Sequence, residues 1–325
     1  MLTALAHALN IILLFITLFT GIVFYFRIAR HLRIVEPTGD PGLAPIVRGG
    51  GIVFVLALLC WFALYRLSFP WFMIGAMLVA AVSYLHDLRR LSPFPRLSVQ
   101  FIAFCMIMWQ TGMFASEPWW MLALILVVGV GTLNAFSFMD GINGMTGVYS
   151  LVNLFTFYYV NNHILHFGHT SLIVFMIVAV VVFLYFNFRE KARCLTGDVG
   201  SVTMGFVQMF LLLQLIADTG SYKWVLMFLV YGLDASATIV HRLWRKENIF
   251  AAHHKHLYQY LARYLHASPL PVSLAYGFLQ LLVNLFLVGS LINASTWASI
   301  ALIVGLGAVY VALRVVVVRR LGRKV

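Results

Sequence analysis

Leu195-Thr196-Gly197-Asp198-Val199-Gly200-Ser201 opens an apolar run that continues to residue 217. A run of that length is close to the roughly 20 residues a helix needs to cross a bilayer. The stretch therefore puts a carboxylate at the edge of a membrane span. An acid there is costly unless it holds a cation or takes part in chemistry. Asp87, Asp140 and Asp234 stand at the ends of three other apolar runs. The function turns on whether these acids meet on one side of the membrane.

Working outward, the whole 325-residue chain is apolar: 62% hydrophobic, 10% charged, mean hydropathy +0.95. Soluble domains carry about 25% charged residues. Eleven candidate spans are legible, near residues 8–28, 50–67, 70–86, 97–114, 119–139, 143–161, 170–187, 199–217, 223–241, 270–290 and 296–317. None shows the period-2 alternation of a membrane barrel, and a helix satisfies its own backbone in lipid. The expected fold is an all-α polytopic membrane protein with about 11 transmembrane helices, forming one integral-membrane domain over 1–325. The second, third and sixth spans are short or bounded by tight loops.

Charge orients this bundle. With eleven spans, one side receives the loops near 29–49, 87–96, 188–198 and 242–269 and the C-terminus. That side and its helix ends hold 20 of the 22 Lys and Arg, leaving only Arg66 and Lys223 on the other. The positive-inside rule then expects a periplasmic N-terminus and a cytoplasmic C-terminus. The net charge of +12 follows from the same rule. Basic loops favour anionic membrane lipids and anionic substrates. Nucleic acid is excluded as a partner because no soluble basic domain exists to carry it. The first apolar run lacks a basic leader and a small-residue cleavage site, and reads as a retained span. Cys60, Cys105 and Cys194 suggest neither a disulfide framework nor a zinc site.

Asp87, Asp140, Asp198 and Asp234 all fall at cytoplasmic ends of spans. Clustered carboxylates repel one another and are stabilised by a hard cation such as Mg²⁺, which prefers oxygen ligands. Each acid also has a plainer role open to it. Asp87 fits a solvated helix end before Arg89 and Arg90, Asp140 a turn former beside Gly141, Asp198 a helix cap, and Asp234 a partner for a neighbouring helix.

Two glycine-rich loops sharpen the cluster. Arg48-Gly49-Gly50-Gly51 opens a span; its amides could cradle an anion at a helix N-terminus, or its glycines could serve close helix packing. Asp140-Gly141-Ile142-Asn143-Gly144-Met145-Thr146-Gly147 joins two spans with almost no loop, so Asp140 and Asn143 are expected to face one cavity. In the largest cytoplasmic loop, Ala251-Ala252-His253-His254-Lys255-His256-Leu257-Tyr258-Gln259 gathers imidazoles and an ammonium that suit a phosphate or diphosphate. A zinc site and a solvated loop are the alternatives there.

Taken in order, Arg48-Gly49-Gly50-Gly51, His86-Asp87-Leu88-Arg89-Arg90-Leu91-Ser92-Pro93, Asn134 through Gly144, Gly197-Asp198-Val199-Gly200-Ser201 and His253-His254-Lys255-His256-Leu257-Tyr258 resemble the polyprenyl-phosphate N-acetylhexosamine-1-phosphate transferases, the glycosyltransferase family 4 group. The five motifs span about residues 36 to 261. Their style is nearer the O-antigen and enterobacterial-common-antigen initiators than the phospho-MurNAc-pentapeptide transferases. The resemblance implies a bacterial inner-membrane enzyme with its active site facing the cytoplasm, and is compatible with a homodimer. It implies that undecaprenyl phosphate attacks the β-phosphorus of a UDP-N-acetyl sugar, giving undecaprenyl-pyrophosphate-sugar and UMP, with Mg²⁺ required and Mn²⁺ as a substitute.

Carried over by position, the resemblance makes Asp198 the leading metal ligand and Asp140 a second acid for metal or substrate. Asp87 would orient or deprotonate the lipid phosphate. Arg48, His86, Asn134, Asn143, Asn187, His253 and His256 would contact substrate. The chain departs from the family pattern in three places. His86-Asp87 stands where Asp-Asp is usual, Asn143 where many members carry Asp, and 189–195 lacks the usual prolines. The cluster thus carries less negative charge, and any mechanism needing two adjacent acids at 86–87 does not transfer. Two other functions remain consistent with a polytopic protein. A transporter or flippase of lipid-linked sugars calls for polar groups at mid-membrane, whereas these cluster at one surface. A non-catalytic scaffold is the other, and would bind neither Mg²⁺ nor UDP-sugar.

Overall fold

The computed structural model describes residues 2–36, 45–65, 68–89, 91–248, 253–265, 267–293 and 296–321. Arg66, Arg90, and the parts of the 29–49 and 242–269 loops at 37–44, 249–252 and 266 lie outside them. Among the described residues thirteen α-helices form, one on each of the eleven apolar runs and two short ones besides. In order they are α1 (Leu2–His31), α2 (Ile52–Leu64), α3 (Pro70–Arg89), α4 (Pro93–Gln110), the short α5 (Met113–Ser116), α6 (Trp119–Met139), α7 (Met145–His163), α8 (Thr170–Asn187), α9 (Asp198–Thr219), α10 (Leu229–Trp244), the single turn α11 (Leu257–Gln259), α12 (Pro269–Asn293) and α13 (Thr296–Leu321).

The helix ends follow from local chemistry. α4 begins at Pro93, four residues before the apolar run read from the sequence. Proline at a first helical position has its φ preset and gives up no useful N–H. α9 ends at Gly220, whose φ of 63° is left-handed. The chain re-enters at once through a 3₁₀ turn, Tyr222–Phe228, before α10. Tight 3₁₀ geometry is common where a helix starts under such constraint.

Among the described residues, eight helical segments are long and apolar enough to cross a membrane: α1, α3, α6, α8, α9, Tyr222–Trp244, α12 and α13. α2 has 13 residues. α4 and α7 are longer, but carry Arg96, Gln100, Asn153 and Asn161. Exposed Trp71, Trp119, Trp244 and Trp297 sit at helix ends, where amphipathic rings match a membrane interface. The protein is a multi-pass membrane protein.

α9 is the axis of the bundle: 94% of its apolar window is buried, against 11% for α13. Mid-bundle polar side chains are paired across helices. Asn153 Nδ2 donates to Gln208 Oε1 at 3.0 Å, and Asn284 Nδ2 to Asn153 Oδ1 at 3.0 Å. Such contacts act as glue between helices rather than as a pathway.

A small stitch then fixes the end of the bundle that matters. Val35–Glu36 pairs antiparallel with Ile46–Val47, and Val47 bridges Cys194 in parallel. Leu195 N donates to Val47 O at 2.8 Å; Gly50 N and Gly51 N donate to Leu195 O and Thr196 O at 2.8 and 2.9 Å. The loop before α2 is thereby sewn to the loop before α9. A Cβ on Gly51 would lie 2.2 Å from Gly200 Cα, so only glycine permits this approach. Of the two uses open to this glycine run, the structure shows close packing at Gly50 and Gly51, whose amides are spent on carbonyls.

Candidate active site at one end of the helix bundle

A cavity of about 570 Å³ opens where the ends of α3, α6 and α8 meet the starts of α2, α4, α7 and α9. Asp87, Asp140 and Asp198, from three separate helix ends, all line it.

The acidic wall is built around the start of α9. Asp87, from the last turn of α3, accepts hydrogen bonds from Asp198 N at Oδ1 and Val199 N at Oδ2, both 3.0 Å. Its carboxylate caps the N-terminus of a helix 111 residues away, where the helix dipole favours negative charge. Gly197 makes room: its φ is 73°, and a Cβ would lie 2.7 Å from Asp87 Oδ2. Asp198 thus keeps its side chain for the cavity. Its Oδ1 accepts from Ser137 Oγ at 2.7 Å. Arg96 Nη2 stands 2.6 Å from Oδ2 as an ion pair, but not along an N–H direction, so the buried Oδ2 accepts no hydrogen bond. His86 bridges the two. Its Nδ1 is 3.1 Å from Leu91 O and its Nε2 3.2 Å from Arg96 Nη1, contacts that the Nδ1–H tautomer satisfies together.

Asp140 ends α6 and faces the same cavity. Its Oδ1 accepts from Thr196 Oγ1 at 2.6 Å and Thr146 Oγ1 at 2.7 Å. Burial, together with the charges of Asp198 and Asp87, raises its pKa to about 7 against the pull of those two hydroxyls. The turn is braced from below. Asn143 Nδ2 donates to Arg189 O and Glu190 O; Asn187 accepts from Gly144 N at 2.7 Å and donates to Cys194 O at 2.9 Å.

The facing wall is the histidine loop. His253 is half-buried, and desolvation, reinforced by His256, lowers its pKa to about 4, so it is neutral near pH 7. His256 is 1% exposed. Its Nδ1 lies 3.1 Å from Asp234 Oδ1, and its Nε2 is buried without a protein partner. Tyr258 Oη donates to Phe138 O at 2.8 Å and ties the loop to α6.

Arg48, His86, Asp87, Asp140, Asn143, Asn187, Asp198, His253 and His256 therefore line one cavity. Arg48 does so while paired to Glu36 at 3.0 Å. Asn187 and Asn143 reach it with amides already committed to neighbouring loops. Asn134 does not line it; its Nδ2 donates to Gln100 Oε1 at 2.7 Å, one turn below Ser137. Asp234 lies behind the histidine loop rather than in the cavity. Sequence reading missed Arg96, Ser137 and Thr196. Arg96 stood among 20 basic residues on one side with nothing to single it out, and Ser137 and Thr196 were part of quoted motifs but carried no charge.

Among the described residues no three His, Cys, Asp or Glu side chains form a protein-only metal cage. Mg²⁺ does not need one: it is usually held by one or two carboxylates with water and substrate phosphate completing the shell. Asp198 and Asp140, on the same cavity, are the carboxylates that pattern asks for, with the Arg96 guanidinium 2.6 Å from Asp198 Oδ2 standing where a cation would be held.

Fold and site together define a multi-pass membrane protein with one charged cavity at an end of its helix bundle. Residues 69–216, which carry Asp87, Asp140 and Asp198, match the family model of glycosyl transferase family 4. It is 28% identical over 149 residues to the phospho-N-acetylmuramoyl-pentapeptide-transferase of Dictyoglomus turgidum, covering 44% of this chain and 46% of the relative. It is 25% identical over 251 residues to a probable undecaprenyl-phosphate N-acetylglucosaminyl 1-phosphate transferase of Bacillus subtilis, covering 71% of this chain and 68% of the relative. A phospho-N-acetylmuramoyl-pentapeptide-transferase of Streptococcus agalactiae is 30% identical over 113 residues, 34% of this chain and 32% of the relative. The first of these matches thus spans about half the length of its relative.

Proposed function

We propose that the protein transfers an N-acetylhexosamine-1-phosphate from a UDP-sugar to undecaprenyl phosphate, releasing UMP and starting a surface polysaccharide such as O-antigen. The observation that carries this reading is the convergence of Asp87, Asp140 and Asp198 with Arg96 and the histidine loop in one cavity. An oxygen of the lipid phosphate attacks the β-phosphorus. The bond from that phosphorus to the bridging oxygen breaks, and the bridging oxygen leaves with UMP. A phosphate monoester is already mostly doubly ionised near pH 7, with a second pKa of about 6. No strong base is needed, which agrees with an Asp87 whose two oxygens are occupied by α9 amides.

Phosphoryl transfer asks mainly for positioning and charge neutralisation. Arg48 and Arg96 are placed to donate to phosphate oxygens, and Nε2 of His256 to a further one. Asp198 and Asp140 would hold Mg²⁺, or Mn²⁺ in its place, which supplies charge neutralisation to the diphosphate when bound. The placement of 20 of 22 basic residues on one predicted side supports a site facing the cytoplasm of a bacterial inner membrane.

The names of the Dictyoglomus and Streptococcus relatives favour a second donor, UDP-N-acetylmuramoyl-pentapeptide. One experiment separates the readings. Purified protein with Mg²⁺ and undecaprenyl phosphate is offered UDP-GlcNAc, other UDP-N-acetyl sugars and UDP-N-acetylmuramoyl-pentapeptide, and UMP is measured. Release with a simple N-acetyl sugar supports the first reading; release only with the pentapeptide donor replaces it with the second. No UMP from any donor, with a competent carrier, removes both.

A further inference from the structure

The histidine wall is held in place by a helix that the reaction described above leaves unused. α13 is largely unburied along its apolar window, yet it turns two polar side chains inward. Arg314 is 8% exposed. Its Nη1 donates to Thr238 Oγ1 at 2.7 Å and Tyr310 Oη at 2.9 Å, and its Nη2 donates to the carbonyl of Lys255 at 3.0 Å. Tyr310 Oη in turn donates to Asp234 Oδ1 at 3.0 Å. Asp234 is fully buried in α10, and also accepts from Tyr276 Oη at 2.6 Å, Leu257 N at 3.2 Å and the Nδ1 side of His256.

Burying an arginine and an aspartate in a membrane bundle is costly, and an apolar contact would hold α13 more cheaply. The relay ends at His256, which lines the cavity and whose buried Nε2 has no hydrogen-bond partner among the described residues. A fixed Nδ1 contact sets the plane of an imidazole and decides what its other nitrogen offers.

We propose that α13 is a positioning element of the site: Tyr310 and Arg314, through Asp234 and the Lys255 carbonyl, hold His256 so that Nε2 meets a phosphate oxygen of the bound substrate. The proposal rests on the transferase reading. The contact of Nδ1 with Asp234 Oδ1 fixes the ring plane, and with it the direction of Nε2. Tyr310 and Arg314 are positioning residues and touch no substrate.

The test uses the full-length protein in detergent, with melting temperature as the control for folding. Tyr310→Phe and Arg314→Met should each lower kcat/KM for the nucleotide sugar about tenfold, the scale of one lost charge-assisted hydrogen bond. Arg314→Lys, which keeps a cation able to reach one of the three acceptors, should recover part of the loss. In a His256→Ala background Tyr310→Phe should cost nothing further, because residues acting through one another are not additive. Equal losses in both backgrounds would mean that α13 is structural only, and would overturn the proposal. Hydrogen exchange of residues 253–259 judges the relay without turnover. Faster exchange there in both variants, with the other helices unchanged, supports it, and unchanged exchange overturns it. If the wild-type protein releases no UMP from any donor, the transferase reading falls while the exchange result still decides the relay.

Discussion

The two walls of the cavity are built in opposite ways. The acidic wall grows from the most buried helix, and its geometry is set by backbone: Asp87 grips two amides of α9, while Gly51 and Gly200 meet with no side chain between them. The histidine wall is a loop fixed by side chains, and its anchor reaches out to the least buried of the apolar spans. A site that must hold carboxylates close together against their repulsion needs the stiffer support. A wall that on the proposed reading admits a nucleotide sugar can be lashed from outside.

This contrast predicts a ranking. Asp198→Asn should have the largest effect, a loss of turnover of about a thousandfold or more with folding retained, since it removes charge aimed at the reacting phosphates; UMP release with a melting control measures it. His256→Ala should fall well short of that. If the two losses were equal, the difference between the walls would be one of construction and not of use. Next comes Asp87→Ala, which should lower stability by about 1–2 kcal/mol through the lost cap of α9 as well as reducing activity. Asp87→Asn should recover part of that stability, because its amide oxygen still accepts one of the two N–H groups. Thermal unfolding in detergent reports both.

The fold was legible because apolar runs of membrane length admit few alternatives. The runs at 119–139 and 170–187 have the boundaries of α6 and α8. The acids could be placed on one side by counting spans and charges. What the sequence withheld was approach in space. That Asp87 caps α9, that Arg96 rather than a distant cation faces Asp198, and that Gly50 and Gly51 spend their amides on carbonyls all depend on how helices far apart in sequence meet. Asp234 was visible as an acid at a span end, but its partners Tyr276 and Tyr310 lie on helices whose facing cannot be read from periodicity when every face is apolar.

Two smaller effects sharpen the contrast further. His253 has a folded pKa of about 4 against an ordinary value near 6.5, so the unfolded chain binds more protons between those values. Its contribution is therefore present above pH 6.5 and is lost as the pH falls toward 4. Stability should decline over that window, and His253→Gln should flatten the decline. Turnover should show no inflection from His253 between pH 7 and 8. Asn134→Ala should have the smallest effect of all, within about threefold of wild type. Asn134 lies outside the cavity, and the change leaves Gln100 the loss of a single neutral hydrogen bond. A large change in KM for the donor would place Asn134 in contact with substrate after all.

On the proposed reading, the brevity of α2 has a consequence for how a lipid substrate would arrive. Thirteen residues rise about 20 Å, some 10 Å less than the hydrocarbon thickness of a typical bilayer. If the far end of α2 keeps to its own water boundary, Gly51 and the cavity floor beside it sit beneath the opposite one, in a dimple. An isoprenoid carrier then need not lift its head group out of the leaflet to react; the aqueous phase comes down to meet it.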